Sequence, residues 1–498
     1  MKLSSLIVAG FMLLFNGFTL AAESEKPNIL YILCDDLGYG DVQCLNREKG
    51  KIRTPHFDQL ASQGMTFTDA HSGSSVCTPT RYGLLTGRYA WRTRLQSGVL
   101  DGGNDEPLIA ADRLTVAGLL KSQGYQTACI GKWHLGFQSD SAVVKKKLAA
   151  GQGGLPVGAK IRGGPTTRGF DYYFGCSNAR TMSSLIGNDK VIETIKPIDM
   201  LPRLGKKAVD FIKGQSTAGE DRQPFFLYLP LTSPHTPIVP TNDWQGRSGL
   251  GDYADFVMQT DGVVGEVLAE LDRSGLSDNT LVIFTSDNGC SPAAKLDELQ
   301  NQGHFPSEKF RGYKADIWEG GHRVPFFVRW PGHVKPGSTS DQIICHTDFI
   351  ATCAEILGVK LPENAGEDSV SILPALLGKT SAPLREAVVH HSIQGRFAIR
   401  QGPWKLEFCP GSGGWGKPGD ADAQKNGLPP LQLYNLKEDI AETRNVQAEN
   451  HELTQNLKKL LDDHIARGRS TPGPAQANDV QVRVNKPLGK AKVKAENE

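Results

Sequence analysis

Short unbroken apolar runs of strand length recur at wide spacing along the chain, at residues 28–33, 127–130, 224–229, 281–284 and 324–328. They are rich in β-branched and aromatic side chains and do not alternate with polar ones. That is the pattern of strands buried on both faces of a mainly parallel sheet. Between them, residues 115–121 and 263–271 carry apolar positions at helical spacing. The pattern predicts an α/β architecture, a large mostly parallel sheet with helices on both faces.

From residue 384 the character changes. Residues 388–391, 397–400, 404–408 and 431–434 read as short antiparallel strands. An amphipathic helix follows at 453–465, with Leu457, Leu460 and Leu461 on one face. A small C-terminal α+β subdomain with an antiparallel sheet is therefore expected at 384–469, after a larger domain at 23–383. Beyond Ser470 the chain turns Pro/Gly/Ala-rich and then Lys-rich (Lys486, Lys490, Lys492, Lys494), which predicts a disordered basic tail at 470–498.

Residues 1–22 point to the compartment. Lys2, an apolar run from Leu6 to Leu20, and Ala21-Ala22 before polar Glu23-Ser24-Glu25-Lys26 have the charge, length and cleavage chemistry of a signal peptide. The run is short for a membrane span and contains Asn16 and Gly17, and no later run is long enough to cross a bilayer. The mature protein is expected to be periplasmic or secreted. Over 498 residues, 55 Lys+Arg stand against 54 Asp+Glu, a net charge of +1 that falls to zero once Lys2 is removed. Such balance argues against a nucleic-acid binder that depends on phosphate electrostatics. The nine cysteines show no metal-binding CxxC spacing, and their odd number leaves one unpaired. No Asn-x-Ser/Thr acceptor is present, which favours a bacterial exported enzyme over a lysosomal one.

The chemistry gathers behind the strands. Asp35-Asp36 follows the first, Gly131-Lys132-Trp133-His134 the second, Ser233-Pro234-His235 the third and Ser286-Asp287-Asn288-Gly289 the fourth. The carboxyl ends of parallel strands line one edge, where ligands bind, so these residues are expected in one crevice. Asp35, Asp36, Asp287 and Asn288 are hard oxygen donors, a set that suits Ca²⁺, with Mg²⁺ second. The plainer reading makes Asp36 a helix cap and Asp35 its solvated neighbour. Three carboxylates with a divalent cation sum to −1, and Lys132, Arg81 and Lys314 raise the total to +2, so the crevice should attract an anion. The stretch from Ser74 to Arg88 places Cys77 near a helix N-terminus, where a thiol is expected to have a lowered pKa.

Cys77-x-Pro79-x-Arg81 followed by Leu85-Thr86-Gly87-Arg88 resembles the signature of the type I (formylglycine-dependent) sulfatases. The Asp-Asp pair, Gly-Lys-Trp-His, Pro-His-x-Pro, Ser-Asp-Asn-Gly, the run from Lys314 to Pro325, and Leu433-Tyr434-Asn435-Leu436 with Asp439, Glu442 and Asn445 match it in order, over residues 27 to about 465. The resemblance implies an alkaline-phosphatase-like fold and hydrolysis of sulfate monoesters, of aryl or carbohydrate alcohols. It implies that a maturase converts Cys77 to formylglycine, and that Asp35, Asp36, Asp287 and Asn288 hold Ca²⁺ together with position 77. Arg81 would help activate the aldehyde hydrate. His235, with Lys314, would protonate the leaving alcohol, His134 would act as base, and Lys132 and Lys314 would hold the sulfate. Thr78, Thr80, Arg88 and Arg323 read as structural neighbours of the motifs. Arg168, Arg180 and Trp415 are offered as contacts to a sulfated sugar.

Two rivals share these residues, a phosphodiesterase or phosphonate hydrolase on the same scaffold and a sulfated-glycan binding protein whose Cys77 stays a thiol. Three other signals are set aside. The run from Gly411 to Pro418 fits GxGxxG, but Pro418 replaces the Ser/Thr of a P-loop and no helix pattern follows, so it reads as a flexible loop, one that could cover the site mouth. No G-x-S-x-G elbow occurs. His390-His391 lacks a partner histidine at helical spacing, which argues against zinc.

Overall fold

A computed structural model describes residues 26–102, 104–141, 153–216, 222–380, 382–484 and 486. The expected signal peptide at 1–22 lies outside them. The apolar run at 28–33 belongs to the strand Asn28–Asp35, all eight residues of which are buried. Its side chains divide by parity. Ile29, Tyr31 and Leu33 pack into one hydrophobic cluster, and Leu30, Ile32 and Cys34 into another. An unbroken apolar run means this in a sheet covered on both sides, because successive side chains point to opposite faces. The strands Phe225–Pro234 and Thr280–Ser286 flank it in parallel, and Gln126–Lys132 extends the parallel core beyond Phe225–Pro234. Helices Pro197–Ser216 and Asp252–Arg273 cover one face. Helices Cys77–Thr86, Val116–Ser122 and Phe349–Ile356 cover the other.

The sheet has ten strands, parallel through its centre and again at one edge, where Ser338–Ser340 pairs with Met65–Phe67. Phe326–Arg329, expected as one more parallel strand, runs antiparallel to both neighbours. The edge hairpin Ser184–Gly187 with Lys190–Thr194 has no counterpart in the apolar pattern, because its outer strand is largely exposed and has only two apolar residues, Val191 and Ile192.

The four strands expected after residue 384 form an antiparallel sheet, Val388–His391, Phe397–Gln401, Trp404–Glu407 and Gln432–Asn435. Helix His451–Ala466 packs on it through Leu457 and Leu461, in a cluster that also contains Tyr89 and Trp91 of the large domain. The small sheet also reaches the segment before Cys77. Ser75 N donates to His391 O at 3.1 Å, and Ala315 N donates to Ser75 O at 2.8 Å.

Two expectations need correction. Residues 470–484 are not a free tail but lie against the large domain. Arg88 Nη2 donates to Asp479 Oδ1 at 3.0 Å and to Ala477 O at 3.1 Å, Arg92 Nη1 donates to Asn478 Oδ1 at 3.0 Å, and Val482 and Val484 pack against the third hydrophobic cluster. Buried guanidinium groups need acceptors, and this stretch supplies them although its composition is that of a disordered segment. Residues 487–498 lie outside the described part. The glycine-rich run at 411–418 is the second. It is a hydrogen-bonded loop rather than a flexible one, and a short helix, Asp420–Lys425, follows it. All nine cysteines are free, and all but Cys44 are buried. No helix among the described residues is long and apolar enough to cross a membrane.

Buried imidazoles give this fold a definite acid response. Burial, with His71 adding to it, lowers His346 to about 3, and burial with Lys486 lowers His391 to about 3. On unfolding both return to an ordinary value of about 6.5 and take up protons, so stability falls as pH drops from about 6.5 towards 3, by up to about 1.4 kcal/mol per pH unit for each ring. Urea denaturation at pH 7 and pH 5 is expected to show this loss, with a shallower slope in His346→Gln. Equal stability at both pH values would contradict the burial of neutral rings.

Candidate active site

Register brings the strand ends level. Asp35 pairs with Pro234 and Cys34 with Ser286, so Asp35-Asp36, His235 and Asp287-Asn288 emerge together at one edge of the sheet. Lys132 arrives at the end of Gln126–Lys132. The turn after Asp35 is locally strained, with Asp36 in the left-handed region at φ 66°. It is held by Asp36 N donating to Asp287 Oδ1 (3.2 Å), Leu37 N donating to Ser286 Oγ (3.0 Å) and the Tyr253 hydroxyl donating to Asp36 O (3.2 Å). His134 and Ala315, also beside the site, have φ of 55° and 81°. Backbone strain of this kind persists where surrounding contacts over-determine it, commonly at functional sites.

Cys77 is the first residue of a ten-residue helix that is buried throughout, and Arg81 stands one turn later on the same face. Gly87 ends the helix in the left-handed conformation, φ 66°, with its N–H on Gly83 O at 2.8 Å. A Cβ there would lie 2.4 Å from Ile350 Cγ2, so both the turn and the packing require glycine. Cys77 Sγ lies 3.5 Å from Asp35 Oδ1. The lowered thiol pKa expected at a helix N-terminus is not what the surroundings produce. Burial, Asp287 and Asp35 push the Cys77 thiol well up against the opposing pull of Lys132 and Lys314.

Six buried charges surround this helix end in three pairs. Lys132 Nζ donates to Asp35 Oδ2 at 2.6 Å, and Lys314 Nζ to Asp36 Oδ2 at 2.8 Å. Arg81 grips Asp287 Oδ2 with Nε at 3.1 Å and Nη2 at 2.8 Å, and its Nη1 donates to Lys132 O at 2.9 Å. Burial opposes ionisation of Asp35, but Lys132, His235, Arg81 and Lys314 together hold it well below the usual carboxylate range.

Both histidines are present and differently held. His134 Nε2 donates to Leu100 O at 2.9 Å, while its buried Nδ1 has no partner among the described residues. Burial and Lys132 lower its pKa well below the ordinary value. His235 Nδ1 lies 2.6 Å from Thr236 O, and its Nε2 accepts from Lys314 Nζ at 3.0 Å. Ligand atoms of Asp35, Asp36, Cys77 and His235 lie within 4.8 Å of one another. Asp287 and Asn288 adjoin this group, Asn288 Nδ2 donating to Asp36 Oδ1 at 2.7 Å while its buried Oδ1 has no partner among the described residues.

Of the residues read as structural, Thr78 accepts from Leu100 N (3.2 Å), Thr80 donates to Ser74 O (3.0 Å), and Arg323 pairs with Glu319 (2.9 Å). Arg168 is turned to the carbonyls of Ile109 and Thr167, and the Arg180 side chain lies outside the described part. Two features escaped the sequence reading. Asp316 binds the glycine-rich loop, and although it stands within a quoted motif, nothing in the sequence marked its carboxylate. His390 meets His71 and His322 in a buried group whose nitrogens lie within 4.8 Å. The His322 and His390 rings stack at 3.9 Å and 11°, so their lone pairs run side by side rather than converging on an ion. His71 Nδ1 instead shares a proton with His322 Nδ1 at 3.0 Å.

Comparison with known proteins agrees with this geometry. A family model described as Sulfatase matches residues 27–359, and one described as N-sulphoglucosamine sulphohydrolase, C-terminal, matches residues 313–406. An N-acetylgalactosamine-6-O-sulfatase from Bacteroides thetaiotaomicron is 34% identical over 88% of this chain and 93% of its own length. Human arylsulfatase A is 32% identical over 88% of each chain. A solved structure from work on glycosaminoglycan metabolism by Bacteroides thetaiotaomicron superposes with a TM-score of 0.77 at 32% identity, covering 88% of this chain and 99% of the other. The structure of Ps i-CgsB in complex with k-i-k-neocarrahexaose gives a TM-score of 0.71 at 25% identity, covering 91% and 95%.

The charge pairs also make a stability prediction. Arg81→Met leaves Asp287 buried without its cation and is expected to cost about 3–5 kcal/mol in denaturant titrations. Adding Asp287→Asn, which can still accept from Asp36 N, should recover most of that loss. A single variant as stable as the parent would show that the pair is not buried as described.

Proposed function

The chain belongs to the sulfatase family and is a sulfuric ester hydrolase, and from that premise we propose that it removes sulfate from a sulfated carbohydrate at the pocket around Cys77. The observation that carries the reading is the enclosed set of three carboxylates and three cations at the Cys77 helix end. Burial and Asp35 push Asp287 up to about 7; with all three carboxylates ionised the charge sums to zero, so a divalent cation would bring it to +2 and favour an anionic group. Sulfatases use a metal ion and a formylglycine. Formylglycine at position 77 would supply a gem-diol nucleophile, which the metal would help to deprotonate.

The residues fit such a metal. Asp35, Asp36, Asp287 and Asn288 would hold it beside position 77, and the buried, unpartnered Asn288 Oδ1 is the acceptor such an ion satisfies. An oxygen donor set suits Ca²⁺ ahead of Mg²⁺.

The remaining roles follow from how each side chain is tied. Arg81 is locked to Asp287 by two hydrogen bonds and stays as a fixed positive wall. Lys132 and Lys314 are single ammonium groups on flexible stems, able to turn from Asp35 and Asp36 to sulfate oxygens as charge builds on them. His134 has its Nε2 proton committed to Leu100 O, so its Nδ1 lone pair is the base that takes a proton when sulfate is expelled. At His235 Nε2 the proton shared with Lys314 is available to the leaving alcohol. Cys77 is only 2% exposed, so a formylglycine-generating maturase would have to act before the chain folds. Export by the residue 1–22 signal peptide completes the proposal. The names of the relatives, an N-acetylgalactosamine-6-O-sulfatase and a protein bound to a neocarrahexaose, support a carbohydrate substrate.

The test is mass analysis of the Cys77 peptide from the natural host, with turnover of 4-nitrophenyl sulfate and 4-nitrophenyl phosphate. We expect an aldehyde at position 77, faster release from the sulfate, and loss of activity on prolonged chelation. His134→Ala should lower kcat by about 10²–10⁴. An unconverted thiol in that host, or faster release from the phosphate, would overturn the reading.

A further inference from the structure

The glycine-rich run Gly411-Ser412-Gly413-Gly414-Trp415-Gly416-Lys417 connects the strands Trp404–Glu407 and Gln432–Asn435. It is pressed onto the segment that carries Lys314. Asp316 lies beneath it, its Oδ1 accepting from Trp415 N at 2.9 Å and Gly416 N at 2.7 Å, and its Oδ2 accepting from Tyr313 N at 3.2 Å. The Tyr313 hydroxyl donates to Trp415 O at 3.2 Å, and Gln394 Nε2 to Gly414 O at 3.2 Å. A Cβ at Gly414 would stand 2.2 Å from Ala315 O, and one at Gly416 would stand 2.4 Å from Asp316 Oδ2. The run is therefore rich in glycine because it lies directly on a neighbouring segment, not because it cradles a phosphate.

This fixed loop holds out Trp415. The indole is only partly covered, and its ring centroid is 5.9 Å from Lys314 Nζ, the ammonium that also contacts His235 Nε2 at 3.0 Å. A cation near the indole face stabilises that placement. We propose that Trp415 is the platform on which the sugar ring of the leaving group stacks, so that the 411–417 loop forms the leaving-group subsite. The inference rests on the reading of the pocket as a carbohydrate sulfatase site, and it goes further in naming what recognises the alcohol.

The argument is one of position and shape. The leaving oxygen must come to the His235–Lys314 pair, and the indole is an aromatic surface beside that pair. A pyranose has an apolar C–H face and a rim of hydroxyls, so it needs one aromatic plane and polar surroundings. Lys314 and His235 supply the polar partners beside the indole, and Leu100 O holds the His134 imidazole. A steroid-like alcohol would need apolar walls on more than one side. Asp316 acts here as a positioning residue, through the two backbone N–H groups it fixes.

The experiment uses the full-length matured protein with N-acetylgalactosamine 6-sulfate and galactose 6-sulfate as substrates and inorganic sulfate as inhibitor. Trp415→Ala is expected to raise KM for a sulfated sugar about tenfold, one well-packed aromatic contact being worth on the order of that factor. It should leave kcat within about threefold and the inhibition constant of inorganic sulfate unchanged, because sulfate touches only the charged pocket. Trp415→Phe should recover most of the affinity. Asp316→Ala should reproduce the KM effect, and Asp316→Asn, which can still accept from both N–H groups, should relieve it. Unchanged sugar KM in Trp415→Ala would overturn the proposal, as would a parallel loss of sulfate inhibition, which would mark the change as structural. Turnover of 4-nitrophenyl sulfate but neither sugar by the parent would overturn it as well. A parent inactive on all three esters would fail the functional reading itself, a result separable from failure of the subsite.

Discussion

The pocket depends on six charged groups being buried together in matched pairs. A lone ion taken out of water costs several kcal/mol even after relaxation, so none of the six could stand there without its partner. Each pair joins different parts of the fold. Asp35 and Lys132 come from two strand ends, Asp287 from a third strand end and Arg81 from the Cys77 helix, and Asp36 from the first turn and Lys314 from a distant loop. Moving any one element strands a charge, so electrostatics fixes the relative positions of strands, helix and loop. The same requirement explains why the sum is neutral, and why one added divalent cation suffices to turn the pocket into an anion receptor.

The C-terminal sheet is part of this arrangement rather than an appendage. Lys405 from that sheet contacts Glu442 Oε1 at 2.7 Å and Glu319 Oε1 at 3.2 Å, while Arg400 grips Asp69. Glu319, His71 and His322 come from the large domain, so the interface between the two parts is itself a buried charge network. The strand Val388–His391 holds Ser75, two residues before Cys77, and the 411–417 loop reaches the Lys314 segment from the other side. The large domain thus builds the charged pocket, and the small sheet buttresses the Cys77 segment and delivers Trp415. A division of this kind leaves the 411–417 loop free of the charge pairing that fixes the pocket.

What could be read from the chain follows from these constraints. Strand ends were legible because a buried parallel strand must be apolar along its length, so the polar residues that follow it, as at Asp35, Lys132, His235 and Asp287, stand out. Cys77 and Arg81 were legible because one helical turn fixes their spacing. Edge strands such as Lys190–Thr194 were not, since a strand exposed on one side carries no continuous apolar run. The docked segment 470–484 was missed because its hydrogen-bond partners, Arg88 and Arg92, lie almost four hundred residues earlier, and composition holds no record of such a pairing. Asp316 and the His71–His322–His390 group were missed for the same reason. Each gains its role from segments that only the folded chain brings together.

The state of position 77 follows from the same electrostatics. A helix N-terminus favours a thiolate, but burial and the two carboxylates facing Cys77 outweigh it and push the thiol well up. A thiol in that condition is a poor nucleophile and a poor ligand. The other groups in the pocket are hard oxygen donors and hydrogen-bond donors to oxygen, suited to an oxygen nucleophile and to sulfate. Such surroundings suit the aldehyde hydrate proposed for position 77. Because Cys77 is buried once the six charges have closed around it, the proposed conversion would have to precede folding.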